Sequence, residues 1–93
     1  MHDPIIKVVI PARNEVKAIP KGIKAIPSYV TEIIVADNGS TDGTAEAAQT
    51  AGARTVYVET PGYGRACLAG IKAAKNYDII VFLDGEPRTI PKI

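Results

Sequence analysis

Apolar side chains fall along this chain in four short blocks, at residues 5–10 (Ile-Ile-Lys-Val-Val-Ile), 32–36 (Glu-Ile-Ile-Val-Ala), 54–58 (Arg-Thr-Val-Tyr-Val) and 78–83 (Asp-Ile-Ile-Val-Phe-Leu). The blocks are rich in β-branched residues. Three of them are nearly continuous rather than alternating, the pattern of buried parallel strands covered on both faces.

The stretches between the blocks carry helical periodicity. The first predicted helix starts near Pro20, which suits a first turn, and ends before Pro27, with Ile19, Ile23 and Ile26 on one face. The second spans about 43–51, where Ser40, Thr41 or Asp42 can cap the start and Gly52 suits the end. The third spans about 65–75, where Ala66, Ala69, Gly70, Ala73 and Ala74 make a small-residue stripe that lets a helix lie close to a sheet. Strands alternating with helices imply right-handed crossovers. The expected fold is α/β: a Rossmann-like parallel sheet with helices on both faces, in strand order 3-2-1-4.

Composition narrows the class without changing the fold. The chain has 93 residues, which predicts a single domain over 1–93, and its 46% hydrophobic and 23% charged residues carry no disorder signature. A net charge of +1 gives no pull toward nucleic acid or anionic membrane, so no nucleic-acid partner is expected. The apolar run 79–83 is too short to span a bilayer, so no transmembrane segment is expected. The single cysteine, Cys67, excludes an internal disulfide and suits a reducing compartment. With no signal-peptide pattern at the start, the expected location is cytoplasmic.

In an open parallel sheet, ligands bind beyond the carboxyl ends of the strands. There this sequence places Pro11-Ala12-Arg13-Asn14-Glu15, Asp37 through Thr44, Glu59 through Arg65, and Asp84-Gly85-Glu86. Asp84 and Glu86 are two apart, so on an extended segment they point the same way and can hold Mg²⁺ or Mn²⁺ through oxygen; they can equally be a polar turn. Asp37 can accept a hydrogen bond from a nucleobase N–H, or build a turn. Asp42 reads as a cap or turn residue. Gly62-Tyr63-Gly64-Arg65 can bring a phosphate against a helix start or be a plain turn, and it matches neither a dinucleotide fingerprint nor a P-loop. Arg13 can face a phosphate or pair with Glu15. Cys67 reads as a packed small residue, since His2 is the chain's one histidine and lies at the terminus.

Taken together these loops are more specific than any one of them. Val8 through Glu15 resembles the opening of family-two glycosyltransferases, and Ile33 through Thr44 resembles that family's second strand with its Asp-x-Gly-Ser-x-Asp loop. Gly62 through Gly70 is similar to the loop and helix of the dolichol-phosphate mannose synthase-like branch. Val81 through Glu86 is similar to the family's Asp-x-Asp motif, with Glu in the last place. The resemblance covers residues 5–86 and implies a GT-A fold, a UDP- or GDP-sugar donor, a divalent Mg or Mn ion, and inversion at the sugar. It implies further that Pro11, Ala12, Arg13 and Glu15 line the nucleoside pocket, that Asp37 contacts the base, and that Gly64 and Arg65 lie at the nucleotide. On the same basis Asp84 lies by the ribose and, with Glu86, at the metal.

Against the family pattern the chain is short, and the acceptor site and the general base are expected beyond residue 93, which makes this a truncated GT-A domain. The expected function is the donor-binding half of a transferase that moves a sugar to an acceptor such as a polyprenyl phosphate. The alternative is a nucleotide-binding module without catalysis. An unrelated receiver-type domain would need acidic residues after the first strand, where Pro11-Ala12-Arg13-Asn14 stands. The apolar strand 79–83, with no Lys or Pro inside it, is also expected to pair with a second copy, giving a homo-oligomer.

Overall fold

A computed structural model describes residues 3–83. The element order is β1 (Ile6–Ala12), α1 (Ile19–Lys24), β2 (Glu32–Asp37), α2 (Thr44–Thr50), β3 (Arg54–Tyr57), α3 (Tyr63–Ala74) and β4 (Ile79–Phe82). The strands form one sheet in the order β3-β2-β1-β4, with every neighbouring pair parallel, as the alternation of blocks and helices predicts.

Each central strand presents its two faces to different helices. Val8, Ile10 and Ala12 of β1 and Val35 of β2 pack with Ile19 and Ile23 of α1 and Ala48 of α2 in one buried cluster. On the opposite face Ala36 and Val58 pack with Ala66 of α3. Both faces of β1 and β2 are therefore apolar, which is why these strands read as continuous runs. The small-residue stripe sits where expected: Ala66 and Ala74 of α3 are fully buried, and Gly70 lies against Val9, close enough that an added Cβ would fall 2.2 Å from a Val9 methyl.

Three differences from the sequence expectation have physical causes. First, β1 runs on through Pro11 to Ala12, in register with Ala36 and Asp37 of β2. Val9 O accepts from Leu83 N on the β4 side, while Ala12 O accepts from Asn38 N on the β2 side. Pro11 shares the parity of Val9, so its missing N–H lies on the β4 side, beyond the described end of that pairing, and removes no bond from the β2 ladder. Second, α3 begins at Tyr63, two residues earlier than read, because Gly62 at φ 145 supplies a backbone turn that other residues rarely adopt. Third, β3 and β4 are not buried strands. They are the sheet edges, and Ile79, Val81, Phe82 and Leu83 are 46%, 36%, 40% and 37% exposed.

The rim opposite the candidate site is tied by charge. Glu32 lies 3.3 Å from Lys7 Nζ and 2.7 Å from Arg54 Nε. Both cations also donate to the last turn of α3, Lys7 to Ala74 O and Arg54 to Ala73 O, each at 2.6 Å. Cations at a helix C-terminus satisfy carbonyls that lack intrahelical partners. No helix among the described residues is long and apolar enough to cross a membrane.

Candidate functional site

The carboxyl ends of β1 and β2 lead into the loops singled out above, and between them lies an open cleft of about 330 Å³ lined by Pro11, Ala12, Arg13, Glu15, Asn38, Tyr63 and Ala66. The first four were expected at a nucleoside pocket. Ala12 ends β1, and its carbonyl accepts from Asn38 N at 2.9 Å, so the first two loops leave the sheet side by side. The third loop closes the cleft through Tyr63 and Ala66, brought there by the early start of α3.

The remaining expected residues lie elsewhere. Asp37 is only 6% exposed, and its Oδ1 accepts from Ser40 N at 3.1 Å. It builds the turn of its own loop and is absent from the cleft lining, so the turn role weighed for it from sequence is the one the geometry displays. Its neighbour Asn38 faces the cleft instead. Asn38 Nδ2 donates to Gly62 O at 3.1 Å, while Oδ1 is shielded from water with no hydrogen-bond partner. The Gly62 carbonyl fixes which way the amide points, since a carbonyl cannot accept from Oδ1. A buried acceptor left without a donor is costly, so a small turn of the Asn38 side chain toward the cleft would be favoured by a ligand N–H. Gly64 and Arg65 are exposed on the first turn of α3, outside the cleft lining. Asp84 and Glu86 lie outside the described residues.

Sequence reasoning missed Asn38, Tyr63 and Ala66. The parity of β2 holds the signal for Asn38: Asp37 and Asn38 leave the strand on opposite sides, and Asn38 has the parity of Ala36, which packs on Ala66 of α3 where the cleft is walled. Of the cap and turn roles weighed for Asp42 the structure shows the turn, since the N-cap of α2 is Gly43 and carries no side-chain cap bond. Asp42 Oδ1 accepts from Thr44 N at 3.1 Å and from the Thr44 hydroxyl, and these bonds, led by that of the hydroxyl, hold its carboxyl below the ordinary range.

A cleft beyond the carboxyl ends of β1 and β2, walled by a Pro-Ala-Arg-Asn-Glu loop and a helix start, is where an open parallel α/β sheet takes its ligands. The family description "Glycosyl transferase family 2" matches residues 7–85, and the chain belongs to that family. An uncharacterized glycosyltransferase of Mycobacterium tuberculosis (strain H37Rv) is 40% identical over 81 residues, covering 87% of this chain and 36% of its own length. The glucosyl-3-phosphoglycerate synthase of the same organism is 40% identical over 93 residues, covering 87% of this chain and 28% of its own. A crystal structure of that synthase with Mn²⁺, uridine diphosphate and phosphoglyceric acid superposes with a TM-score of 0.74 at 39% identity, over 88% of this chain and 33% of that one. The same synthase has been crystallised with Mg²⁺ and uridine diphosphate.

The four-stranded sheet is thus that of GT-A glycosyltransferases, and the chain spans about a third of the length of the first of these relatives, 36%. The described residues contain no group of three His, Cys, Asp or Glu side chains able to hold a metal ion. The family is established by these relatives; its dolichol-phosphate mannose synthase-like branch is not distinguished by them.

Proposed function

We propose that this chain is the donor-binding part of a metal-dependent glycosyltransferase, with uridine diphosphate as the nucleotide of the donor sugar. The observation that carries the reading is the cleft at the ends of β1 and β2, to which the first, second and third loops each contribute. In this reading Pro11 and Ala12 form the apolar floor for the base, and Tyr63 is the aromatic wall. Asn38 Oδ1 accepts from the uracil N–H, with Asp37 shaping the turn behind it. Arg13 faces the diphosphate, and Gly64 and Arg65 border it from the start of α3. Asp84 and Glu86, assigned by their place in the motif alone, would hold Mn²⁺ or Mg²⁺, the ions named for the similar synthase. Such an ion supplies charge neutralisation to a departing diphosphate.

Residues 1–93 act in this reading as one donor-binding domain, and the general base and acceptor site belong to polypeptide beyond those residues. The acceptor is the finer question. The branch resemblance implies a polyprenyl phosphate, whereas the similar synthase is named for phosphoglycerate. The outer edge of β4 is proposed to pair with a second copy. It carries no Lys or Pro, and Ile79–Phe82 laid antiparallel on itself sets apolar residues against apolar residues.

The test is calorimetric titration with uridine diphosphate and with guanosine diphosphate, each with Mn²⁺ and with EDTA. Binding of the uridine nucleotide that weakens with EDTA is expected, as is preference over the guanosine nucleotide. Absence of binding by either nucleotide at millimolar concentration refutes the donor-site reading. Residues 1–93 alone are expected to transfer glucose from UDP-glucose to neither a polyprenyl phosphate nor 3-phosphoglycerate, and turnover with either overturns the placing of the acceptor site outside them.

A further inference from the structure

Three consecutive backbone amides of the first loop each donate to a side chain of the second. Asn14 N donates to Ser40 Oγ at 2.9 Å, Glu15 N to Thr44 Oγ1 at 2.8 Å, and Val16 N to Asp42 Oδ2 at 3.2 Å. Asn14 returns the contact, since its Oδ1 accepts from Thr41 N at 2.8 Å. Asn14 sits at φ 51, a left-handed conformation that Asn tolerates better than most residues. The Glu15 carbonyl meanwhile accepts from Ala18 N and Ile19 N, at 3.1 and 2.9 Å, where α1 starts. Glu15 is therefore gripped on both sides of its backbone, and its side chain lines the cleft.

We propose that Ser40, Asp42 and Thr44 are positioning residues that clamp the first loop and so place Arg13 and Glu15 for the donor nucleotide; this rests on reading the cleft as the donor site. The clamp has a direction. Thr44 is fully buried, and its hydroxyl gives its proton to Asp42 Oδ1, which leaves a lone pair for the Glu15 N–H. Asp42 uses its other oxygen for Val16 N. An Asn at 42 has one acceptor and turns an NH₂ group toward a donor on one side. With these amides engaged by side chains of the second loop, the first loop meets a ligand through Pro11, Ala12 and the side chains of Arg13 and Glu15.

The test compares Thr44→Val, which keeps the branched shape but removes the acceptor, with Thr44→Ser, which restores it, and with Asp42→Ala. Ile23→Val, on the buried face of α1, serves as a control for general destabilisation. Without ligand, the Glu15 and Val16 amides should exchange slowly in wild type and in Thr44→Ser, and faster in Thr44→Val and Asp42→Ala. Affinity for uridine diphosphate with Mn²⁺ should fall on the order of tenfold in Thr44→Val and Asp42→Ala, the scale of one buried donor left unmet. It should return to within about twofold of wild type in Thr44→Ser, and Ile23→Val should bind as wild type does. Wild-type affinity in Thr44→Val, or failure of Thr44→Ser to restore it, overturns the proposal. A wild type that binds no uridine diphosphate refutes the donor-site reading separately. The exchange data then decide the clamp: fast Glu15 and Val16 amides in wild type overturn it, and slow ones that quicken in Thr44→Val and Asp42→Ala sustain it.

Discussion

Gly70 is where α3 comes closest to the sheet, and replacing it with alanine tests how the domain is packed. A Cβ there would lie 2.2 Å from Val9 Cγ1, 3.1 Å from Cγ2 and 3.2 Å from Cβ. Carbon atoms rest at about 3.5–4.0 Å, so the nearest contact is short by roughly 1.5 Å. Val9 cannot move aside: it is 0% exposed, β-branched and stiff at χ1, and in register with Ile34 on one side and Phe82 on the other. The helix must lift instead, which parts the neighbouring contacts of Ala66 and Ala74. Overpacking of this kind costs about 1–3 kcal/mol, and the rigid neighbour places it at about 3. Alanine returns up to about 1 kcal/mol in helix propensity. The expected net loss is about 2 kcal/mol, or roughly 10 °C in melting temperature for a domain of this size. Gly64→Ala, on the same helix with nothing within 4 Å of the added atom, should be neutral or slightly stabilising. Urea denaturation gives both values. In a double-mutant cycle with Val9→Ala, the pair should be less destabilised than the sum by about 1–2 kcal/mol. A Gly70→Ala variant as stable as wild type, or additive losses in the cycle, would refute the close approach.

The other predictions concern the two rims and the β4 edge. Asn38→Ala should weaken uridine diphosphate by about three- to tenfold and guanosine diphosphate less, measured by calorimetry, because it removes the amide acceptor that the proposed reading assigns to the uracil N–H. The Glu32 carboxyl is held below its ordinary value near 4.5, first by its hydrogen bond with Arg54 and then, against a smaller opposing effect of burial, by Lys7. Its contribution is therefore complete above that ordinary value and is lost as pH falls through the depressed folded value. Glu32→Gln should cost no more than about 1 kcal/mol at pH 7, since the pair is partly exposed, and should flatten the acid limb of a stability–pH curve. Sedimentation at micromolar concentration should show association through β4, abolished by Val81→Lys; the amides of Ile79 and Leu83 donate inward to β1, so a monomer with fast-exchanging Ile80 and Phe82 amides refutes pairing of the outer edge.

The sheet order was legible because β1 and β2 are buried on both faces, and burial writes itself into sequence as unbroken runs of Ile and Val. At β4 the run looks identical, yet the expected order already sets it at an edge, and among the described residues its side chains are partly exposed. Periodicity reports what a strand is able to bury, and only tertiary neighbours decide whether it does so. The Lys7–Glu32–Arg54 tie was invisible for a related reason: it joins residues brought level by strand register, and no local spacing encodes it.

At the candidate site the loops were legible, but the division of labour within them was not. Asp37, Ser40, Asp42 and Thr44 form the more conspicuous polar pattern, and the structure employs them in holding backbone: Ser40 N on Asp37, and the amides of Asn14, Glu15 and Val16 on Ser40, Thr44 and Asp42. The second and third loops and the start of α3 leave plainer side chains at the cleft, Asn38, Tyr63 and Ala66, beside Pro11, Ala12, Arg13 and Glu15 of the first. A short polar side chain on a tight turn meets nearby N–H groups before it meets a ligand, because those partners are fixed within reach and cost no ordering at the moment of binding. A dense run of Asp, Ser and Thr after a strand thus argues first for a rigid loop. The candidate ligand contact is better sought one residue away, as at Asn38, whose side chain lines the cleft and is the one proposed to meet the base.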